Sequence, residues 1–255
     1  MNIAQIKNIL EGGPSQEVLQ LLDGDEREGV RKLLASYYKR LQAEAAEKAR
    51  LLNMNKYENQ LYKEGFKLLA GVDEAGRGPL AGPLVVAAAI LPQNNFLPGL
   101  NDSKKLSAAK RENLFEQIKE QALCFDIQVI PVDVIDTLNI YEATATGMRT
   151  SLLSLKQTPD AALIDAMPLK NLPFHTISLV SGDSLSVSIA AASILAKVTR
   201  DRIMLELDEK YPRYGFARHK GYGTKEHIDA IREYGAIDEH RKTFEPIKTL
   251  LTGVK

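Results

Sequence analysis

The sequence predicts an α/β fold with a mixed central sheet, an N-terminal helical extension and a C-terminal helical region. Three observations carry this. Short apolar runs of strand length recur between Leu68 and Val180. Longer segments of helical character alternate with them and increase toward the end of the chain. The first 65 or so residues differ in texture, being rich in Leu, Ala, Glu, Lys and Arg.

Taken in order, Gly12-Gly13-Pro14 and Asp23-Gly24-Asp25 break the leading segment. Glu26–Leu61 follows with a helical pattern, placing Val30, Leu33, Leu34, Tyr37 and Leu41 on one face. Residues 1–65 are therefore expected to form a helical extension and residues 66–255 the main domain with its C-terminal helices. Ten basic and ten acidic residues lie between Met1 and Phe66, so packing is favoured over gripping a polyanion through Arg31, Lys32, Lys39 and Arg40. The expected strands are Leu68–Val72, Leu84–Leu91, Leu123–Val132, Ala161–Ile164 and Thr176–Val180. Ser107–Ala122 reads as a helix with Ser107 as its cap, and Tyr141–Lys156 as another, broken off by Thr158-Pro159. Ser188–Tyr211 is long, and its Ala190, Ala191, Ala192 and Ala196 permit close helix–sheet approach. Thr224–Tyr234 is a short fourth helix.

Composition narrows the function classes. The chain has 255 residues, 44% of them hydrophobic, enough for one sizeable core plus an appendage. Its 33 basic and 33 acidic side chains cancel, which argues against nucleic-acid binding by bulk charge but leaves room for a local basic groove. The single cysteine, Cys124, excludes an intrachain disulfide and sits in an apolar stretch, as a buried inert thiol would. Met1-Asn2-Ile3-Ala4-Gln5 lacks a basic region leading into an apolar one, and no apolar run approaches 18 residues. A cytoplasmic protein without a membrane span is expected. The last residues, Thr252-Gly253-Val254-Lys255, carry no docking motif.

The chemistry concentrates where strands end. Asp73 and Glu74 close one apolar run, Asp165 closes another, and Asp183 lies between a strand and the long helix. A lone Asp in such a place is more often a turn former or a helix cap, so the argument rests on the set. If the strand ends converge, four carboxylates meet, repel one another and call for a cation. Oxygen ligands suit Mg²⁺ or Mn²⁺, whereas His175, His219, His227 and His240 lack zinc spacing and cysteine partners. On a regular strand Asp73 and Glu74 point to opposite faces, so a shared site requires a bend at Glu74.

The loop Gly76-Arg77-Gly78-Pro79-Leu80-Ala81-Gly82 matches neither a dinucleotide fingerprint nor a Walker loop. Its glycines let backbone approach a sugar or phosphate closely, although a plain tight turn is an alternative. Lys104 and Lys105 precede a helix start, which suits a phosphate; a solvated loop is the alternative. Arg218-His219-Lys220-Gly221-Tyr222-Gly223-Thr224 sets an aromatic ring among cations, a weak single-strand signature. From Lys197 onward there are 13 basic and 10 acidic residues, in keeping with one basic wall.

Four blocks occur in order: Gly71–Pro83, Asp102–Leu106, Ala190–Val198 and His219–Thr224. Through them residues 66 to about 250 closely resemble ribonuclease HII, the bacterial type 2 ribonuclease H. The resemblance implies a ribonuclease H-like fold and an endoribonuclease acting on RNA/DNA hybrids and on single ribonucleotides embedded in duplex DNA. It implies two-metal-ion hydrolysis with Mn²⁺ or Mg²⁺, leaving 3′-hydroxyl and 5′-phosphate ends. The family's metal-binding acids correspond to Asp73, Glu74, Asp165 and Asp183. Its reader of the 2′-hydroxyl corresponds to Gly76, Arg77 and Gly78, and its substrate-sensing tyrosine to Tyr222. A monomer serving ribonucleotide excision repair or DNA replication is implied as well. One departure stands out: Ser181-Gly182 precede Asp183 where many members carry a basic residue nearby, implying one phosphate contact fewer. Another carboxylate nuclease of the same fold, such as a resolvase, has no use for a 2′-hydroxyl reader. A noncatalytic hybrid-binding module has no need of all four acids.

Overall fold

The computed structural model describes residues 1–252; of the final stretch singled out above, residues 253–255 lie outside the described residues. Two compact units are present, Met1–Leu52 and Asn53–Lys255.

The first unit is helical: α1 (Ile3–Glu11), α2 (Gln16–Asp23) and most of α3 (Glu28–Met54). Short polar residues start the first two helices. The Asn2 side chain accepts the Gln5 N–H while the Gln5 side chain accepts the Asn2 N–H, and the Ser15 hydroxyl accepts the Val18 N–H. Ile6, Leu10, Leu22, Val30, Leu34 and Tyr37 close a small core of their own. The helical pattern expected over Glu26–Leu61 is divided at Asn55 between α3 and α4 (Lys56–Lys63). Asparagine competes with the helix for its own backbone groups, a local cost the periodicity does not register.

The second unit is built on five strands: β1 (Leu69–Ala75), β2 (Leu84–Ile90), β3 (Cys124–Ile130), β4 (Ala161–Asp165) and β5 (His175–Leu179). Their order is β3-β2-β1-β4-β5. β1 runs antiparallel to β2 and parallel to β4, β2 antiparallel to β3, and β4 parallel to β5, so the sheet is mixed as expected. Around it lie α5 (Ala108–Gln121), α6 (Val132–Leu138), α7 (Ile140–Leu153), α8 (Val187–Lys210), α9 (Phe216–His219), α10 (Lys225–Tyr234) and α11 (Ile247–Thr252). Cys124 is a free, buried thiol. No helix among the described residues is long and apolar enough to cross a membrane.

One face of the sheet buries Val72, Val86 and Ile90 with Met148 and Leu152 of α7. The other buries Leu69 and Leu163 with Ile189 of α8 and Leu61 of α4. Gly71 explains how closely α8 approaches β1: a Cβ there would lie 2.0 Å from the Ser188 carbonyl carbon. Ser186 caps α8, accepting from the Ile189 N–H and donating to the buried Glu58 carboxylate at 2.5 Å. The Ser188 N–H reaches the same Glu58 oxygen at 3.1 Å. Burial pushes the Glu58 carboxyl above its usual range against these hydrogen bonds.

Several boundaries differ from expectation, among them the end of α7, which stops at Leu153 and not at Lys156. β3 stops at Ile130, because Pro131 cannot donate to the ladder, and Val132 opens α6 instead of ending the strand. Asn139, at φ 69°, separates α6 from α7 and caps α7 by accepting from the Tyr141 and Glu142 N–H groups.

Candidate active site

The parallel ladder between β1 and β4 ends at Val72–Ile164, while β1 continues in register with β2 through Ala75. Beyond Val72, β1 therefore has an open edge toward β4. Carboxylate oxygens of Asp73, Glu74 and Asp165 all lie within 4.8 Å of one another. The expected bend at Glu74 does not occur: both acids remain within the strand. Instead the Asp73 side chain turns along the backbone, its Oδ1 accepting the Glu74 N–H at 2.7 Å.

Asp183 stands beside this trio. It lies in a helical turn, Gly182–Ser184, and is not the cap of α8, which is Ser186. The Gly182 N–H donates to Asp165 Oδ1 at 2.6 Å, tying the Asp183 turn to the end of β4. Lys104 Nζ lies 3.9 Å from Asp183 Oδ2. Lys105 points elsewhere, 3.5 Å from Asp102.

The electrostatics are those of crowded anions. Burial, then the charges of Glu74 and Asp165, push the Asp73 carboxyl well above the usual range despite a hydrogen bond from Ser193. Burial raises Glu74 too, against the pull of Arg77, whose Nη1 lies 3.5 Å away. Burial and Asp102 raise Asp183. For Lys104, burial is outweighed by Asp183, Asp102, Asp73 and Asp165, which hold its ammonium above its ordinary value. Glu74 Oε2 is buried and has no hydrogen-bond partner. Clustered carboxylates with an unmatched buried oxygen fit a hard divalent cation, which supplies the missing charge and ligand bond.

A cavity of about 260 Å³ opens from Glu74 onto Gly76, Arg77 and Gly78, with Lys104 and Tyr222 also on its wall. Gly76 has φ 98°, and a Cβ there would fall 2.1 Å from Arg200 Nε, so only glycine fits. Gly78 faces Tyr222 across the cleft, a Cβ there lying 3.7 Å from the ring. Tyr222 is half exposed. Of the candidate residues, Asp73, Glu74 and Asp165 meet directly; Gly76, Arg77, Gly78, Lys104 and Tyr222 share the cavity; Lys105 does not line it.

The structure gives a place in the site to residues to which the sequence reading assigned no role, three of them, Ser103, Ser193 and Lys197, inside the blocks quoted above. Ser103, Ser193, Lys197 and Arg200 line the same cavity. Ser103 and Ser193 share a hydrogen bond of 3.0 Å. Arg200 and Arg241 are both buried, and among the described residues neither forms an ion pair with a carboxylate. Arg200 donates to the carbonyls of Pro83, Lys220 and Ala81. Arg241 donates to those of Gly76, Arg77 and Gly82. Burial, then Arg200, lowers the Arg241 guanidinium to about 9.

Behind Tyr222 lies a chain of buried imidazoles whose protons are fixed by their neighbours. The Ile237 N–H donates to His240 Nδ1, so the His240 proton sits on Nε2. That proton faces His227 Nε2 at 3.1 Å, leaving His227 Nδ1–H to donate to the Tyr222 carbonyl at 2.9 Å. His219 stacks on His227 with ring centroids 4.5 Å apart and accepts the Gly221 N–H. Burial lowers His227 and His240 to about 4, so all the relay's hydrogen bonds belong to neutral rings.

A mixed five-stranded sheet with a carboxylate trio at an opened strand edge, facing a glycine–arginine loop, defines a metal-dependent hydrolase of the ribonuclease H class. Comparison with known proteins narrows the class. The family model described as Ribonuclease HII matches residues 70–246, and that for the Ribonuclease HII N-terminal domain matches residues 2–62. Ribonuclease HII of Bacillus cereus (strain B4264) is 50% identical over 253 residues, spanning 98% of each chain. That of Bacillus thuringiensis (strain Al Hakam) is 49% identical over the same length and coverage. Among solved structures, the ribonuclease H2 from Pyrococcus horikoshii OT3 aligns with a TM-score of 0.64 at 28% identity, covering 73% of this chain and 98% of that one. The chain belongs to the ribonuclease HII family, divalent-metal-dependent ribonucleases that cleave the RNA strand of RNA/DNA hybrids.

Proposed function

We propose that the protein also cleaves at single ribonucleotides embedded in duplex DNA, by water attack on phosphorus and rupture of the P–O3′ bond. The departing 3′ oxygen takes up a proton to become a 3′-hydroxyl, and the water oxygen, having lost a proton, stays on phosphorus in the 5′-phosphate. One observation carries this reading: Glu74, which meets Asp73 and Asp165, lines the same cavity as Gly76, Arg77, Gly78 and Tyr222. A hybrid and a lone ribonucleotide share only the 2′-hydroxyl at the point of cleavage, so a reader next to the acids suffices for both.

Asp73, Glu74 and Asp165 hold the metal, with Asp183 completing the site and assisting departure of the leaving group. Two Mn²⁺ or Mg²⁺ ions, when bound, supply the charge that polarises the attacking water and the departing 3′ oxygen. Arg77 and its flanking glycines contact the ribose, Lys104 the phosphates, and the Tyr222 ring stacks on the deoxyribose beyond the junction. Residues 66–255 carry the chemistry, and residues 1–65 form a helical extension to it. We assign a cytoplasmic monomer acting in ribonucleotide excision repair or replication.

The test is cleavage of a duplex containing one ribonucleotide, with Mn²⁺, with Mg²⁺ and with neither. Cutting that needs the cation and stops when the ribonucleotide becomes a deoxynucleotide is expected. Cutting of long hybrids alone overturns the single-ribonucleotide reading.

A further inference from the structure

We propose that Arg241 is a positioning residue for the reader loop, holding the peptides of Gly76 and Arg77 so that the amides of Arg77 and Gly78 face the cleft. This rests on the reading of Gly76-Arg77-Gly78 as the element that senses the ribose.

Arg241 is fully buried. Its Nη2 donates to the Gly76 carbonyl at 2.6 Å, its Nη1 to the Arg77 carbonyl at 2.9 Å, and both Nε and Nη2 to the Gly82 carbonyl. Its guanidinium also lies 5.0 Å from the centroid of the Phe244 ring. Burying a cation without a counter-anion is costly, and an apolar side chain of similar volume would serve packing better. A planar fork, however, carries its donors on three separate nitrogens and so reaches carbonyls spread along the loop, which the single nitrogen of a lysine ammonium does not.

The consequence follows from peptide geometry. Both reader-loop peptide bonds are trans, because Glu245–Pro246 is the cis bond among the described residues. In a trans peptide the carbonyl and the following N–H point in opposite directions. With the Gly76 and Arg77 carbonyls drawn back onto Arg241, the N–H groups of Arg77 and Gly78 point away from it. Among the described residues neither amide donates to another group, and both residues line the cavity. Two successive outward N–H groups form a small concave donor pair suited to an oxygen ligand, here the 2′-hydroxyl or the adjoining phosphate oxygen. Arg200 is the internal contrast. It is equally buried but donates to Pro83, Lys220 and Ala81, and to no reader-loop carbonyl.

Arg241→Lys keeps the charge but cannot span three carbonyls, and Arg241→Gln keeps a donor without the charge. In whichever variant retains a cooperative thermal transition, kcat/KM on the one-ribonucleotide duplex is expected to fall about a hundredfold, the scale of a ~1 Å misplacement. The same change on a duplex with 2′-fluoro at that ribose should cost much less, so that discrimination between the two sugars shrinks. Equal losses on both substrates overturn the proposal and leave Arg241 a packing residue. A wild-type enzyme indifferent to 2′-fluoro instead refutes the sugar-sensing reading of the loop. The orientation itself is checked separately on wild-type protein. The Arg77 and Gly78 amide resonances should shift when uncleaved duplex is added with Ca²⁺, and should differ in Arg241→Lys without any substrate. Resonances unmoved in both experiments overturn the proposal whatever the kinetics.

Discussion

The two walls of the cleft are built on opposite principles. On the acid wall, Asp73, Glu74 and Asp165 crowd together, burial and mutual repulsion raise Asp73 and Glu74, and one Glu74 oxygen has no partner. On the reader wall, every buried cation and imidazole has found a hydrogen-bond partner, mostly a backbone carbonyl. The first wall is incomplete without a cation. The buried cations and rings of the second are satisfied by the chain itself. Metal binding should therefore change the stability of one wall and leave the other as it is.

The largest break in this contrast comes from Asp73→Asn. Removing a charge that takes part in several kcal/mol of transition-state stabilisation should lower cleavage roughly a thousandfold or more. The same change should raise the melting temperature of the metal-free protein, because a buried, repelled carboxylate is lost. Added Mg²⁺ or Mn²⁺ should stabilise wild type and have far less effect on the variant. Thermal scans with and without cation decide this, and equal cation-induced shifts in both proteins would remove Asp73 from the metal site.

Acid should break the other wall. His227 and His240 are lowered to about 4 from an ordinary 6.5. Below pH 6.5 the unfolded chain takes up protons that the folded chain refuses. Stability is thus complete above about 6.5 and declines as pH falls toward 4, by on the order of 3 kcal/mol for the first ring. Protonating His240 would also set an N–H against the Ile237 N–H. Denaturant titrations between pH 7 and 4.5 should show this decline, and His240→Gln should flatten it. A slope unchanged in that variant would mean other groups cause the loss.

The smallest effect on folding belongs to Tyr222→Ala. The ring is half exposed, so stability should change by less than about 1 kcal/mol. Cleavage at a lone ribonucleotide should nonetheless fall by about tenfold or more, in keeping with a stacking contribution of ~1–3 kcal/mol. Unchanged rates on that substrate would assign Tyr222 to the rim only.

The acid wall was legible in the sequence because its logic is local. Each carboxylate closes a short apolar run, and strands of one sheet bring their ends together. What the runs could not give was the way Asp73 and Glu74 reach one site. That depends on where the β4 ladder stops, a property of pairing and not of either strand. The reader wall was legible only at its surface, in Gly76-Arg77-Gly78 and Tyr222. Arg241 acts on carbonyls 159 to 165 positions away in the chain. Backbone acceptors leave no residue-type signal, so nothing in the pattern around Arg241 announces its partners. The histidines have no zinc spacing, and the hydrogen bonds that link His227 and His240 in a relay follow no spacing rule either. Helix α6 was missed for a simpler reason: seven residues are too few for periodicity to separate from the preceding strand.

Glu58 has a bearing on how this protein can be dissected. It lies in α4, upstream of residue 66, yet its carboxylate receives the Ser186 hydroxyl and the Ser188 amide at the first turn of α8. A shortened version beginning at Phe66 would lose Leu61 from beneath the sheet and leave that turn without its acceptor. Cutting before Asn53 instead would spare both, making a helix upstream of residue 66 the foundation stone of the nuclease.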